Sequence, residues 1–188
     1  MQEMKMKIDA IWQPDKQQQM FRVLLEAMSR PGSIQSLPAA LQSSMADKAL
    51  LATLLDGEVS MCDRHALLTT SDWPLLQARQ ADAEQADYIL CDGAQAPDFE
   101  PRLGTLSCPD ESATLIIKVR SLYGGDMGLK LEGPGIEAST RVVIDGLHPD
   151  WLKTRQDWVC SFPLGVDCLF VDESHVIGLP RTTIVEVC

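Results

Sequence analysis

Phe162-Pro163-Leu164-Gly165-Val166-Asp167-Cys168-Leu169-Phe170-Val171, followed after Asp172-Glu173-Ser174 by His175-Val176-Ile177-Gly178-Leu179-Pro180-Arg181-Thr182-Thr183, is the stretch that decides the fold. Pro163 and Gly165 fix a turn ahead of an apolar run over residues 166–171. A second run over 175–179 follows a short polar turn, so the two read as an antiparallel hairpin. Pro180-Arg181-Thr182-Thr183 then ends the second run with a cation and two hydroxyls at a chain reversal. A guanidinium beside two hydroxyls and free backbone N–H groups suits a small anion. The same residues also suit a structural reading, with Arg181 pairing a carboxylate and the threonines closing a turn. Asp167, which begins an otherwise apolar strand, is the carboxylate that a buried pair would use.

Outward from this hairpin, residues 114–119 read as a strand, Tyr123-Gly124-Gly125-Asp126 as a turn, and 129–132 as a strand facing back. Gly133-Pro134-Gly135 breaks that strand, and 141–144 adds another. Residues 149–159 are helical, with Trp151 and Trp158 on one face. Residues 87–91 read as a buried strand and 58–62 as a short one. Nearer the start, 15–28 forms a helix with an apolar stripe of Met20, Phe21, Leu24, Leu25 and Met28, which serves as core or subunit contact. It stops at Ser29-Arg30-Pro31-Gly32, where proline cannot continue it. A second helix spans 46–55. Ser71-Asp72-Trp73-Pro74 opens a third, with Ser71 or Asp72 as its cap. Residues 92–109 form a long connection with one helical turn. Early helices, a later strand cluster and a strand between helices make an α/β sandwich with a mixed sheet, one domain over residues 1–188.

At 188 residues the chain can bury a sizeable core without disulfides. A formal net charge of −11 argues against a nucleic-acid surface, which needs clustered Lys and Arg. A local anion site stays compatible with that charge. Residues 1–9 lack the apolar core of a signal peptide, and no apolar stretch is long enough to cross a bilayer. The expected compartment is the cytoplasm. None of the six cysteines lies in a Cys-x-x-Cys pair, and Cys91 and Cys168 sit in apolar runs as small core residues. Cys62-x-x-His65 is the one metal-like local pair, and two ligands do not close a site, so no metal is expected.

Enzyme motifs are sparse. No Gly-x-x-x-x-Gly-Lys-Ser/Thr loop is present, and Gly124-Gly125-Asp126 lies in a hairpin context. The lysines considered for a Schiff base are Lys5, Lys7, Lys16, Lys48, Lys118, Lys130 and Lys153. None stands at a strand end beside a phosphate-binding turn, so no pyridoxal cofactor is expected. His65, His148 and His175 lie outside any nucleophile-elbow context, and the catalytic residues stay unknown.

Four motifs occur in one order: Phe21-Arg22-x-Leu24-Leu25-x-Ala27-Met28-Ser29-x-Pro31-Gly32, Gly133-Pro134-Gly135-Ile136, Phe162-Pro163-Leu164-Gly165-Val166-Asp167 and Pro180-Arg181-Thr182-Thr183. Together they resemble the H-subunit family of the bacterial carbon–phosphorus lyase system, over about residues 12–188. The resemblance implies a fold similar to the large domain of pyridoxal-phosphate-dependent transferases, without the cofactor. It also implies a homodimer that joins G, I and J subunits. Their complex forms ribose 1-methylphosphonate 5-triphosphate from ATP and methylphosphonate, the H subunit contributing more to assembly than to catalysis. Arg22, Pro31, Gly32, Gly165 and Pro180 then read as fold determinants. The alternative is a small-anion or nucleotide-binding module. Its ligand candidates are Arg181, Thr182, Thr183, Asp167, Gly133 and Gly135.

Overall fold

The structure, a computed structural model, describes residues 9–42 and 46–188; the N-terminal reading, with Lys5 and Lys7, lies outside the described residues. The helices are α1 (Pro14–Ser29), α2 (Ala46–Leu54), the single-turn α3 (Trp73–Leu76) and α4 (Asp150–Val159), with short 3-10 turns at Ala10–Trp12, Ala39–Leu41 and Pro109–Glu111. The strands are β1 (Gln35–Ser36), β2 (Ser60–Asp63), β3 (Arg79–Gln80), β4 (Tyr88–Asp92), β5 (Thr114–Lys118), β6 (Met127–Glu132), β7 (Thr140–Ile144), β8 (Asp167–Val171), β9 (His175–Leu179) and β10 (Ile184–Val187).

Seven strands form one mixed sheet in the order β1-β9-β8-β5-β4-β2-β3. Strands β3, β2, β4, β5 and β8 run parallel, while β9 returns antiparallel on β8 and β1 antiparallel on β9. The remaining three form a separate antiparallel sheet, β10-β6-β7.

Continuous apolar runs build the central strands because both faces are covered. Ile89 and Cys91 of β4, Leu115 and Ile117 of β5, and Cys168 and Phe170 of β8 face α4 and the smaller sheet. Their neighbours Leu90, Ile116, Leu169 and Val171 face α1 and α2. The period-2 alternation thus sorts one strand's side chains into two cores, making a layered α/β sandwich. Phe99, from the long connection, closes the first core by ring contacts with Trp151 and Trp158 at centroid distances of 6.2 and 5.7 Å.

Three expectations are corrected. Residues 129–132 do not face back on 114–119: β6 pairs with β7 and β10. Both edges of β5 are already occupied by β4 and β8, so no ladder position remains for it. Residues 184–187, assigned no element from the sequence, form β10. Asp72 does not cap a helix with its side chain. Its carboxylate turns back to the Thr69 N–H at 2.8 Å and to Lys48 at 2.8 Å, while Gln77 at φ 61° ends α3 after one turn. The α1 stripe also divides. Met20, Leu24 and Ala27 are buried, while Phe21 and Leu25 face outward.

Candidate functional site

The reversal after β9 is held by one cation. Cys168 of β8 is in register with Leu179 of β9, so Asp167 lies beside the residues that follow Leu179. Arg181 Nη2 donates to Asp167 Oδ2 at 2.7 Å and Nε to Oδ1 at 3.3 Å, and the Arg181 backbone N–H reaches Oδ1 at 2.8 Å. Nη1 donates to the carbonyls of Pro109 (2.8 Å) and Pro163 (3.3 Å), and Nη2 also reaches the Ser112 hydroxyl. Every guanidinium N–H therefore has an acceptor within the chain. The Asp167–Arg181 pair expected from the sequence is present. It ties the start of β8 to the turn at 109–112 and to Pro163.

Arg155 holds the same reversal from the other side, and the sequence reading missed it. This residue, on α4 and 4% exposed, donates through Nη2 to the carbonyls of Pro180 (2.6 Å) and Thr183 (3.2 Å). The signal was a charged residue on the face of α4 that carries Trp151 and Trp158. Thr183 is buried, its N–H bound to the Pro180 carbonyl at 2.9 Å. Thr182 is half-buried.

The glycine turn meets both motif ends. Gly133, at φ 134°, packs on the Thr182 carbonyl, where an added Cβ would stand at 2.9 Å. Gly135, at φ 82°, lies hard against the Ser29 carbonyl at the end of α1. Both approaches exclude a side chain. The structure thus gathers Asp167, Arg181, Thr182, Thr183 and Gly133 at one junction, with Gly135 turned toward Ser29 and Pro31.

Beside this junction lies a groove of about 830 Å³ between α4 and β10. Leu152, Val159 and Phe162 line it from α4 and the segment after it and Ile184 to Val187 from β10, and Lys153 and Thr182 also contribute to the lining. Phe162, Ile184 and Val187 expose 68, 67 and 59% of their surface, so apolar area is concentrated here.

At the carboxyl ends of the parallel strands, polar side chains are bound to backbone N–H groups or to one another. Asp63 accepts the N–H groups of Leu67 and Leu68 at 2.9 and 2.8 Å. His65 Nδ1 accepts the Asp92 N–H at 2.9 Å. Lys118 ends β5 with its Nζ 2.9 Å from buried Asp47, so this lysine does stand at a strand end, with its ammonium paired to a carboxylate. Among the described residues, no group of three or more His, Cys, Asp and Glu could hold a metal. Burial pushes the Cys168 thiol up to about 11 and raises Cys91 as well, which leaves both as unreactive core groups.

A second ion pair clamps the entry to the sheet. Asp87 accepts the Ser60 N–H (2.7 Å) and hydroxyl (2.6 Å) and pairs with Arg102. Burial pushes its carboxyl upward, but the Ser60 donors and Arg102 together hold it below the ordinary carboxylate value. Asp72 is likewise held low, with Lys48 and Thr69 outweighing burial.

Residues 10–186 match the family model described as "Bacterial phosphonate metabolism protein (PhnH)". The chain is 38% identical over 173 residues to "Putative C-P lyase subunit protein HtxG" of Stutzerimonas stutzeri, covering 92% of this chain and 87% of that protein. It is 31% identical over 180 residues to "Alpha-D-ribose 1-methylphosphonate 5-triphosphate synthase subunit PhnH" of Rhizobium meliloti (strain 1021), covering 90% of each. A match of this extent to the family, supported by two near-full-length relatives, shows that the chain belongs to the bacterial phosphonate metabolism protein family PhnH.

Proposed function

We propose that this chain is the H subunit of a carbon–phosphorus lyase core complex in phosphonate catabolism. In that role it supports formation of ribose 1-methylphosphonate 5-triphosphate from ATP and methylphosphonate, contributing more to assembly than to the chemical step. The observation that carries the reading is the end-to-end match to a relative named as a subunit of that synthase. The internal use of every Arg181 N–H supports the assembly side of it, since a saturated guanidinium offers no donor to a substrate.

The chain acts as a single unit over residues 1–188, as a homodimer in the cytoplasm, joined to G, I and J subunits. Its layered sheet is compatible with kinship to the large domain of pyridoxal-phosphate-dependent transferases. Among the described residues no helix is long and apolar enough to cross a membrane. Native mass spectrometry on the chain, alone and co-expressed with its host's G, I and J subunits, tests the reading. The expected result is a dimer that enters a larger stoichiometric complex. A chain that stays apart from those partners overturns it.

A second reading, a small-anion or nucleotide-binding module of the same pathway, is favoured by one observation: Thr182 and Lys153 line a groove large enough for a nucleotide. Among the described residues Lys153 has no ion-pair partner. In this reading ATP or methylphosphonate raises the melting temperature of the isolated chain, and Thr182→Ala removes the rise. No rise at millimolar ligand rejects it.

A further inference from the structure

Strand β10 is bonded on one side only. Cys188 N–H donates to the Gly128 carbonyl at 3.0 Å, which sets the phase of the β10–β6 ladder. Antiparallel alternation then aims the backbone groups of Ile184 and Glu186 at β6, and those of Val185 and Val187 at the open side. No other strand of the described chain lies there. The other sheet edges differ. Strands β1 and β3 are two residues long, and β7 carries exposed Arg141 and continues into a bridge between Ser121 and Asp145. Short or charged edges resist pairing, whereas β10 presents an apolar edge with a single acid.

The groove walls continue that edge. Leu152 and Val159 of α4 face Ile184 to Val187 across it, and Phe162 stands exposed at the side. A chain that paired with Val185 and Val187 would bury its own alternate side chains against these residues. An exposed edge beside an apolar slot is the arrangement used for strand addition.

Charge selects the occupant. Glu186 is 69% exposed, and its cation, Lys130, is shared: Nζ lies 2.8 Å from Glu132 and 3.5 Å from Glu186. One ammonium between two carboxylates leaves the edge locally negative, on a chain whose net charge is already −11. A second copy fits poorly. The self-pairing that sets Val185 against Val187 of the other copy places Glu186 opposite Glu186, and like charges directly opposite are destabilising.

We infer that the β10 edge and its groove receive an extended strand from a different protein chain, with a Lys or Arg opposite Glu186 and apolar residues on either side. The source of that strand, another subunit of the complex, rests on the subunit reading above; the chemistry of the edge does not.

The test uses the full chain and the probe peptide acetyl-Thr-Val-Lys-Val-Thr-amide, with acetyl-Thr-Val-Glu-Val-Thr-amide as control. The lysine peptide is expected to shift the amide resonances of Val185 and Val187 and slow their exchange about tenfold, while the glutamate peptide does neither. Val187→Pro removes an outward N–H that the fold does not use, and Glu186→Lys exchanges the preference for the two peptides. Val187→Pro should melt near the wild-type temperature, and Glu186→Lys slightly below it, because the new cation stands opposite Lys130. In a second arm, wild type and both variants are co-purified with the host's G, I and J subunits, the wild type being retained and the variants lost. Valine amides indifferent to both peptides, or variants retained as well as wild type, overturn the docking edge. Wild type that is not retained, while the lysine peptide still binds at Val185 and Val187, overturns the subunit reading and supports the edge.

Discussion

Strands β8 and β10 stand close in sequence and far apart in circumstance. Both are short and rich in branched apolar residues, Asp167–Val171 and Ile184–Val187. Strand β8 is flanked by β5 and β9 and is buried along nearly its whole length, while β10 has one neighbour and is mostly exposed. The difference lies in what each polar residue is given. Asp167 receives Arg181, whose remaining donors are consumed by Pro109, Pro163 and Ser112. Glu186 receives part of a shared lysine. One region is saturated by its own chain and serves the fold; the other has bonds left to give.

The comparison can be broken most severely at Arg181. Arg181→Met leaves Asp167 and Ser112 without their cation, and loss of one partner of a largely buried pair costs about 3–5 kcal/mol. In a chain of this length that lowers the melting temperature by roughly 10 °C. Adding Asp167→Leu should restore part of the loss, because the unpaired carboxylate goes with it. Urea unfolding of the single and double variants measures both.

Asp87→Asn is the next largest. It weakens the bonds to Ser60 and Arg102 at the start of the parallel strands, for a loss of about 1–3 kcal/mol in the same unfolding experiment. It also removes part of the acid sensitivity. Asp87 and Asp72 are held below their ordinary value in the fold. Their contribution is therefore full above the unfolded carboxylate value of about 3.9 and is lost as pH falls through the lower folded values. Melting temperatures followed from pH 6 downward should fall below about pH 4, less steeply in Asp87→Asn.

How legible these regions were follows from the range of their contacts. The β8–β9 hairpin and the Asp167–Arg181 pair could be read because one short polar turn joins the runs, and because a lone acid in an apolar strand asks for a cation. Helical spacing placed Trp151 and Trp158 on one face in the same way, but whether that face packs inside or at an interface was not legible; both are buried. The smaller sheet could not be read locally. Residues 129–132 carry no mark that β5 has both edges filled, and β10 joins a strand more than fifty residues away, Ile184 facing Glu132. Arg155 was hidden because an arginine on a helix is ordinarily solvated; only the partners of the 180–183 reversal reveal why it faces inward.

At the small end, Thr182→Ala should change stability by no more than about 0.5 kcal/mol, since it alters a half-buried side chain away from the packed core. Phe162→Asp should be similarly neutral to the fold, because its ring is exposed, yet it removes apolar contact area from the groove and sets a charge against the apolar residues of the incoming strand, which should weaken assembly. Thermal unfolding and co-purification, run on the same preparations, separate the two effects.

The most direct measurement is a crossed one: melting temperature and retention in the G, I and J assembly, determined together for Arg181→Met and Val187→Pro. The account predicts that Arg181→Met lowers the melting temperature by roughly 10 °C, while Val187→Pro leaves it nearly unchanged and is lost from the assembly. An Arg181→Met chain as stable as wild type, or a Val187→Pro chain that assembles normally, would contradict the division between a saturated junction and an open edge.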